Sequence, residues 1–243
     1  HVSKMTCLYP FVFMTLLFTF NKTTAQTSST NQSWAYDNIK AWYQNEIGAD
    51  SHIYTGKEYA PYKAGIQGTQ FFLSPQMQNS TIFYDGTLYE EVPLLYDLVR
   101  QNIVINRYED NTRIKLLNEK IKYFIISGHT FENIILSGSN EDAGSSFFDM
   151  VLNGKASVLV NRIKKVEMTL NPADPPKFTE RDKIFIRNKN NLYAVDKTKS
   201  ILKALGDKKN FVKAFIRKNK FSFKKNAEEE IIRTVAYYET LLN

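Results

Sequence analysis

From Ser80 onward the chain alternates short runs of aromatic and β-branched residues with pairs of turn residues, the two-residue periodicity of half-buried strands. The sharpest signal lies at 81–89. There two such runs flank Asp85-Gly86, a pair suited to the two positive φ angles of a type I′ hairpin. Further runs at 94–99, 103–108, 112–117, 121–127 and 131–136 predict a meander. Runs at 147–152 and 155–168 flank Asn153-Gly154 and predict a second type I′ hairpin. A last hairpin joins 183–187 to 192–195, and a further one is expected at 53–59 around Thr55-Gly56-Lys57. The pattern amounts to about a dozen strands. The fold class it predicts is mainly β (α+β): an antiparallel meander forming a roll, barrel or sandwich, with a C-terminal helical hairpin.

The period changes at Asp196. Residues 199–205 and 208–219 read as helix interrupted by Gly206, with Phe211, Val212, Phe215 and Ile216 forming one apolar stripe. A second helix is expected from Asn226, with Glu229 at capping-box spacing and three glutamates in its first turn, where the helix dipole favours them. The order of elements divides the chain into a leader at 1–25, a polar segment with one short element at 26–50, a β domain at 51–195 and a Lys-rich helical hairpin at 196–243. That hairpin is expected to pack on the sheet.

Charge follows the same division. Residues 196–225 hold eleven Lys/Arg against Asp196 and Asp207, whereas 26–195 hold eighteen against nineteen acids. The cations Lys203, Lys208, Lys209, Lys213, Arg217 and Lys220 therefore stand out as contacts for an anionic surface, each contributing about 1 kcal/mol near such a surface. The plainer reading, favoured on sequence, is that they solvate a docked helix whose apolar stripe is core.

Residues 11–20 are almost wholly apolar and are followed by a polar stretch with small residues at Thr23 and Ala25. This reads as a secretory signal cleaved near Ala25, too short for the roughly 20 residues a spanning helix needs. The single cysteine, Cys7, lies inside it. The exported chain would then have no disulfide, thiol nucleophile or cysteine metal site, which suits a Gram-negative periplasm or cell surface better than a eukaryotic secretory route. No second long apolar segment occurs, so no transmembrane helix is expected in the mature chain, and an exported protein is not expected to meet nucleic acid.

The combination of 84–99 (Tyr-Asp-Gly-Thr-Leu-Tyr-Glu-Glu-Val-Pro-Leu-Leu-Tyr-Asp-Leu-Val), Asn153-Gly154-Lys155 and 201–209 (Ile-Leu-Lys-Ala-Leu-Gly-Asp-Lys-Lys) resembles a group of uncharacterised exported proteins of Bacteroidetes-type Gram-negative bacteria. The resemblance implies export and a single β-rich unit with a Lys-rich helical tail. It brings no reaction, ligand or site residue with it.

Candidate chemistry is sparse. His52 and His129 are far apart, and with no His-Glu-x-x-His pair and no thiols a zinc site is not expected. His129 with Glu132 offers an acid/base pair at a strand end, against the more ordinary role of capping a turn. No Gly-x-Ser-x-Gly elbow marks a nucleophile. Glu90 and Glu91, adjacent on a strand, point to opposite faces and cannot act as a pair. Asp97 and Asp149 each sit among apolar residues, and nothing in the sequence places them together. Glu141-Asp142 lies in a Gly/Ser/Asn loop without the EF-hand pattern. No catalytic residue, cofactor or metal is assigned.

Tyr54, Tyr59 and Tyr62 could stack on a sugar, although aromatics at this density more often pair within a sheet or core. The expected function is a non-enzymatic periplasmic or envelope-associated binding or scaffold protein, its partner a lipid, glycan or protein. The alternatives are a glycan-active enzyme or carbohydrate-binding module using those tyrosines, and anionic-surface attachment through the basic helix.

Overall fold

The computed structural model describes residues 52–135, 145–171 and 173–242. The leader, the polar segment and Glu141-Asp142 lie outside these residues. Within them the chain is mainly antiparallel β with three α-helices. Eleven of thirteen strands form one sheet. In chain order they are β1 (Lys57–Glu58), β2 (Gln78–Tyr84), β3 (Thr87–Asp97), β4 (Asn102–Asn106), β5 (Arg113–Lys115), β6 (Ile121–Ile126), β7 (His129–Ile135), β8 (Ser145–Leu152), β9 (Ala156–Asn161), β12 (Lys183–Asn188) and β13 (Asn191–Val195). The spatial order is β1-β5-β4-β3-β2-β6-β7-β8-β9-β12-β13, every pair antiparallel. β10 (Lys164–Glu167) and β11 (Lys177–Glu180) form a separate two-stranded ribbon.

Turn chemistry explains the register. Asp85 and Gly86 take φ of 49° and 83°, as the type I′ expectation requires. Ser127 and Gly128 do the same at 50° and 80°, pairing Ile126 with His129 across a tight turn. Two expected hairpins differ. Residues 52–54 form a 3₁₀ turn, and β1 pairs with the distant β5 through Lys57 with Lys115. At Asn153-Gly154 neither residue enters the left-handed region, and the turn is held from outside, as described below. The long run expected at 155–168 breaks at Arg162-Ile163 into β9 and β10.

The sheet is strongly rolled. β3 and β8 are four strands apart, roughly 19 Å in a flat sheet at the usual strand spacing. Yet the rings of Tyr96 on β3 and Phe147 on β8 are 5.7 Å apart. Tyr96 also meets Phe124 and Phe131 edge-on, and those two rings stack at 4.8 Å. This aromatic centre belongs to a core built from β2–β8 with Ile82, Leu94, Ile103, Ile105, Ile114 and Ile126. Gln101, in the β3–β4 turn, reaches across the mouth of the roll and donates to the Arg162 carbonyl at 2.8 Å.

The helices α1 (Thr198–Ala204), α2 (Lys209–Lys218) and α3 (Ala227–Thr240) cover the other half. A second core packs Ile201, Leu205, Val212, Ile216, Ile231, Val235 and Tyr238 onto Ala156, Val158, Ile186 and Val195 of β9, β12 and β13. β9 is buried along its whole length. No helix among the described residues is long and apolar enough to cross a membrane.

Candidate functional site

Two groups of side chains stand out, a buried ionic knot at one end of the roll and the solvent face of the helical cap. The knot is centred on Arg162, which follows the last residue of β9. Its Nε and Nη2 donate to Asp149 Oδ2 at 3.0 and 2.8 Å, and Nη1 and Nη2 form a two-pronged pair with Glu228 at 2.6 and 2.9 Å. Nη1 also reaches Asp182 at 3.0 Å. Asp149 is only 1% exposed and is shared with His129 Nδ1 at 2.9 Å. Pairing of Phe131 with Asp149 puts His129, Phe131 and Asp149 on the inner face of the sheet. Phe72 meets the His129 ring edge-on at 5.1 Å.

Burial alone would pull the Arg162 guanidinium down. The hydrogen bonds to Glu228, Asp149 and Asp182 outweigh it and hold the group above its ordinary range. The guanidinium is thus saturated by three carboxylates and has no donor left for an anionic substrate.

The knot joins β7, β8, β9, the β11–β12 turn and the start of α3, five elements that sequence reasoning left unconnected. Asp149 carried the one legible signal, an acid inside an apolar run. The candidate pairing of His129 with Glu132 is not formed. The two residues lie on opposite faces, and Glu132 instead accepts from Arg187 at 2.8 Å. His129 is held like a general base, by a buried carboxylate. Among the described residues, however, no hydroxyl or thiol is within hydrogen-bond distance of its Nε2. No group of acids and histidines there could hold a metal ion. The arrangement ties the sheet to α3.

The tyrosines are separated by the fold. Tyr59 is buried and donates to the equally buried Asp97 at 2.8 Å. Asp97 Oδ1 also accepts from the backbone of Val99 and Arg100, closing the β3–β4 turn. Tyr62 lies under the Arg100 guanidinium at 4.0 Å and edge-on to Phe178. Burial pushes its phenol up to about 12. Tyr54 sits apart, beside Tyr108. Arg100 also lies 5.5 Å from the Tyr59 ring, so Tyr59 and Tyr62 share one cation, and the three rings form no open row for a sugar to lie on.

The basic residues are placed differently. Lys203 on α1, Lys209, Lys213 and Arg217 on α2, and Lys220 just beyond it are all exposed, while Lys208, before α2, is half-buried. Among the described residues none of the six has a carboxylate within 4.0 Å. Spacing of four puts Lys209, Lys213 and Arg217 on one line along the helix. The expected apolar stripe is split. Val212 and Ile216 enter the core, Phe215 stacks on Tyr237 at 4.1 Å, and Phe211 is left 59% exposed. Phe211 and Lys218, seven residues apart, share a line on the other flank of α2. Beyond α2, Arg233 lies 5.0 Å over the ring of Phe221. Lys224 and Lys225 are exposed nearby in the chain.

No family model matches the chain, and no curated protein or solved structure matches it either.

Proposed function

We propose that this chain is an exported, non-enzymatic binding protein of the Gram-negative envelope, and that its recognition surface is the basic face of the helical cap. The observation that carries the reading is the line of Lys209, Lys213 and Arg217, exposed and, among the described residues, without acid partners, on a helix that buries Val212 and Ile216 in the core. A solvated helix needs charge, but it does not need charge of one sign. The segment 196–225 carries eleven cations and two acids, and such a field draws polyanions and is screened by salt. The reading of the apolar run at 11–20 as a secretory signal supports the location. The saturated Arg162, and the lack of a nucleophile beside His129 among the described residues, favour binding over turnover.

The test is retention on an immobilised polyanion across a salt gradient. The protein should elute at clearly higher salt than the variant Lys209→Glu, Lys213→Glu, Arg217→Glu, with both folded by circular dichroism. Equal elution would rule out this face as the recognition surface.

A further inference from the structure

The cap offers more than charge. Phe211 projects from α2 at 59% exposure, although Val212 and Ile216 on the same helix are buried and Phe215 is stacked on Tyr237. Its line along the helix includes Lys218, and the opposite flank of the same solvent surface carries Lys213 and Arg217. Between the two lines lie only Asn210 and Ala214, so nothing bulky or acidic separates the ring from the cations. A soluble polyanion without rings of its own, such as polyphosphate, would use the cations and ignore the ring. An anionic bilayer uses both, because amphipathic helices lie in the interface with an aromatic below the headgroups and long cations reaching up to them.

We infer that the occupant of this face is an anionic phospholipid bilayer, with Phe211 entering the headgroup–acyl boundary and Lys209, Lys213, Arg217 and Lys218 meeting lipid phosphates. This rests on the reading of the cap as the recognition surface and commits it to one partner. Charge complementarity chooses the partner, and the isolated exposed ring distinguishes a membrane from any fully hydrated polyanion. The attachment is peripheral and reversible, since one ring and a handful of cations fall far short of the apolar area of a spanning helix.

The experiment uses the whole chain with three probes. They are vesicles of zwitterionic lipid containing phosphatidylglycerol, soluble polyphosphate and duplex DNA. Co-sedimentation with the vesicles should be salt-sensitive. Phe211→Ser should weaken it about tenfold, the scale of an aromatic side chain moved out of an apolar setting, while leaving polyphosphate binding unchanged. Because Phe211 is exposed, the variant should melt at the wild-type temperature. The triple reversal at Lys209, Lys213 and Arg217 should lower binding to vesicles and to polyphosphate by about 100-fold or more, near fivefold per cation removed.

If Phe211→Ser binds vesicles as well as wild type does, the bilayer inference is overturned while the basic-face reading stands. If the triple reversal binds vesicles and polyphosphate unchanged, the underlying reading falls as well. Tighter binding to duplex DNA than to the vesicles would also overturn the inference, pointing to a nucleic-acid partner.

Discussion

Arg162 shows how much one side chain can organise. It satisfies a carboxylate that is 1% exposed and fastens α3 to the sheet through Glu228. Replacing it with Met would leave Asp149 buried with only His129 as partner, and removing one side of a buried pair costs about 3–5 kcal/mol. Arg162→Met should therefore lower the urea midpoint sharply, and adding Asp149→Asn should recover part of the loss. A change below about 1 kcal/mol would mean that water already screens the knot. Little of this was legible. Asp149 could be marked as an acid among apolar residues, but its partners Arg162 and His129 stand thirteen and twenty positions away, and Glu228, which Arg162 also holds, is seventy-nine positions from Asp149. Alternation tells which face a residue takes and says nothing about which strand ends converge.

Elements were easier to read where the local code is strong. Asp85-Gly86 turned as its composition demands, α1 and α2 begin and end within a residue of expectation, and α3 begins one residue after Asn226. The departures have physical causes. Asn226 makes no side-chain cap, and Glu230 instead turns back to accept from Ser222 and Phe223 at 3.0 and 2.5 Å, fixing the bend before α3. At Asn153-Gly154 the Glu239 carboxylate of α3 accepts from the backbone of Lys155 and Ala156 at 3.2 and 2.6 Å, so a tertiary contact sets the turn.

A Cβ on Gly154 would sit 2.9 Å from that carboxylate. Glu239→Ala should cost about 1–3 kcal/mol by leaving the buried Ala156 N–H unpaired. Gly154→Ala should act by displacing the same carboxylate, so the double variant should cost less than the sum of the two in chemical denaturation. Strict additivity would show that the two positions do not communicate.

Across the whole molecule the strand succession was readable but its curvature was not, because the roll depends on rings as distant in the chain as Tyr96 and Phe147. The same burial has a consequence at high pH. Tyr54, Tyr59, Tyr62, Tyr84, Tyr96 and Tyr238 are all raised above the ordinary phenol value, with burial as the largest cause. A folded value above the unfolded one gives stability that is whole below about pH 10 and lost as pH climbs through the folded values. Lys164 works the other way. Burial lowers its ammonium, which donates to the Thr69 and Phe71 carbonyls, so its contribution improves as pH rises toward the ordinary lysine value. Six groups oppose one, and the thermal midpoint should fall between pH 9 and 11, with tyrosinate absorbance rising in step with unfolding. A midpoint unchanged over that range would contradict the burial of these phenols.

β9 gives Ala156 and Val158 to the core beneath the helices, and the two cores differ in how far apart in the chain their parts lie. The aromatic half is assembled largely from neighbouring hairpins, whereas the cap brings 231–238 onto 156–158 after an excursion of more than seventy residues. Loop closure over short spans costs less entropy and precedes closure over long ones. A newly made chain would therefore pass through a stage in which the roll has set while β9 still has one greasy side wet, waiting for the helices at 198–240 to arrive.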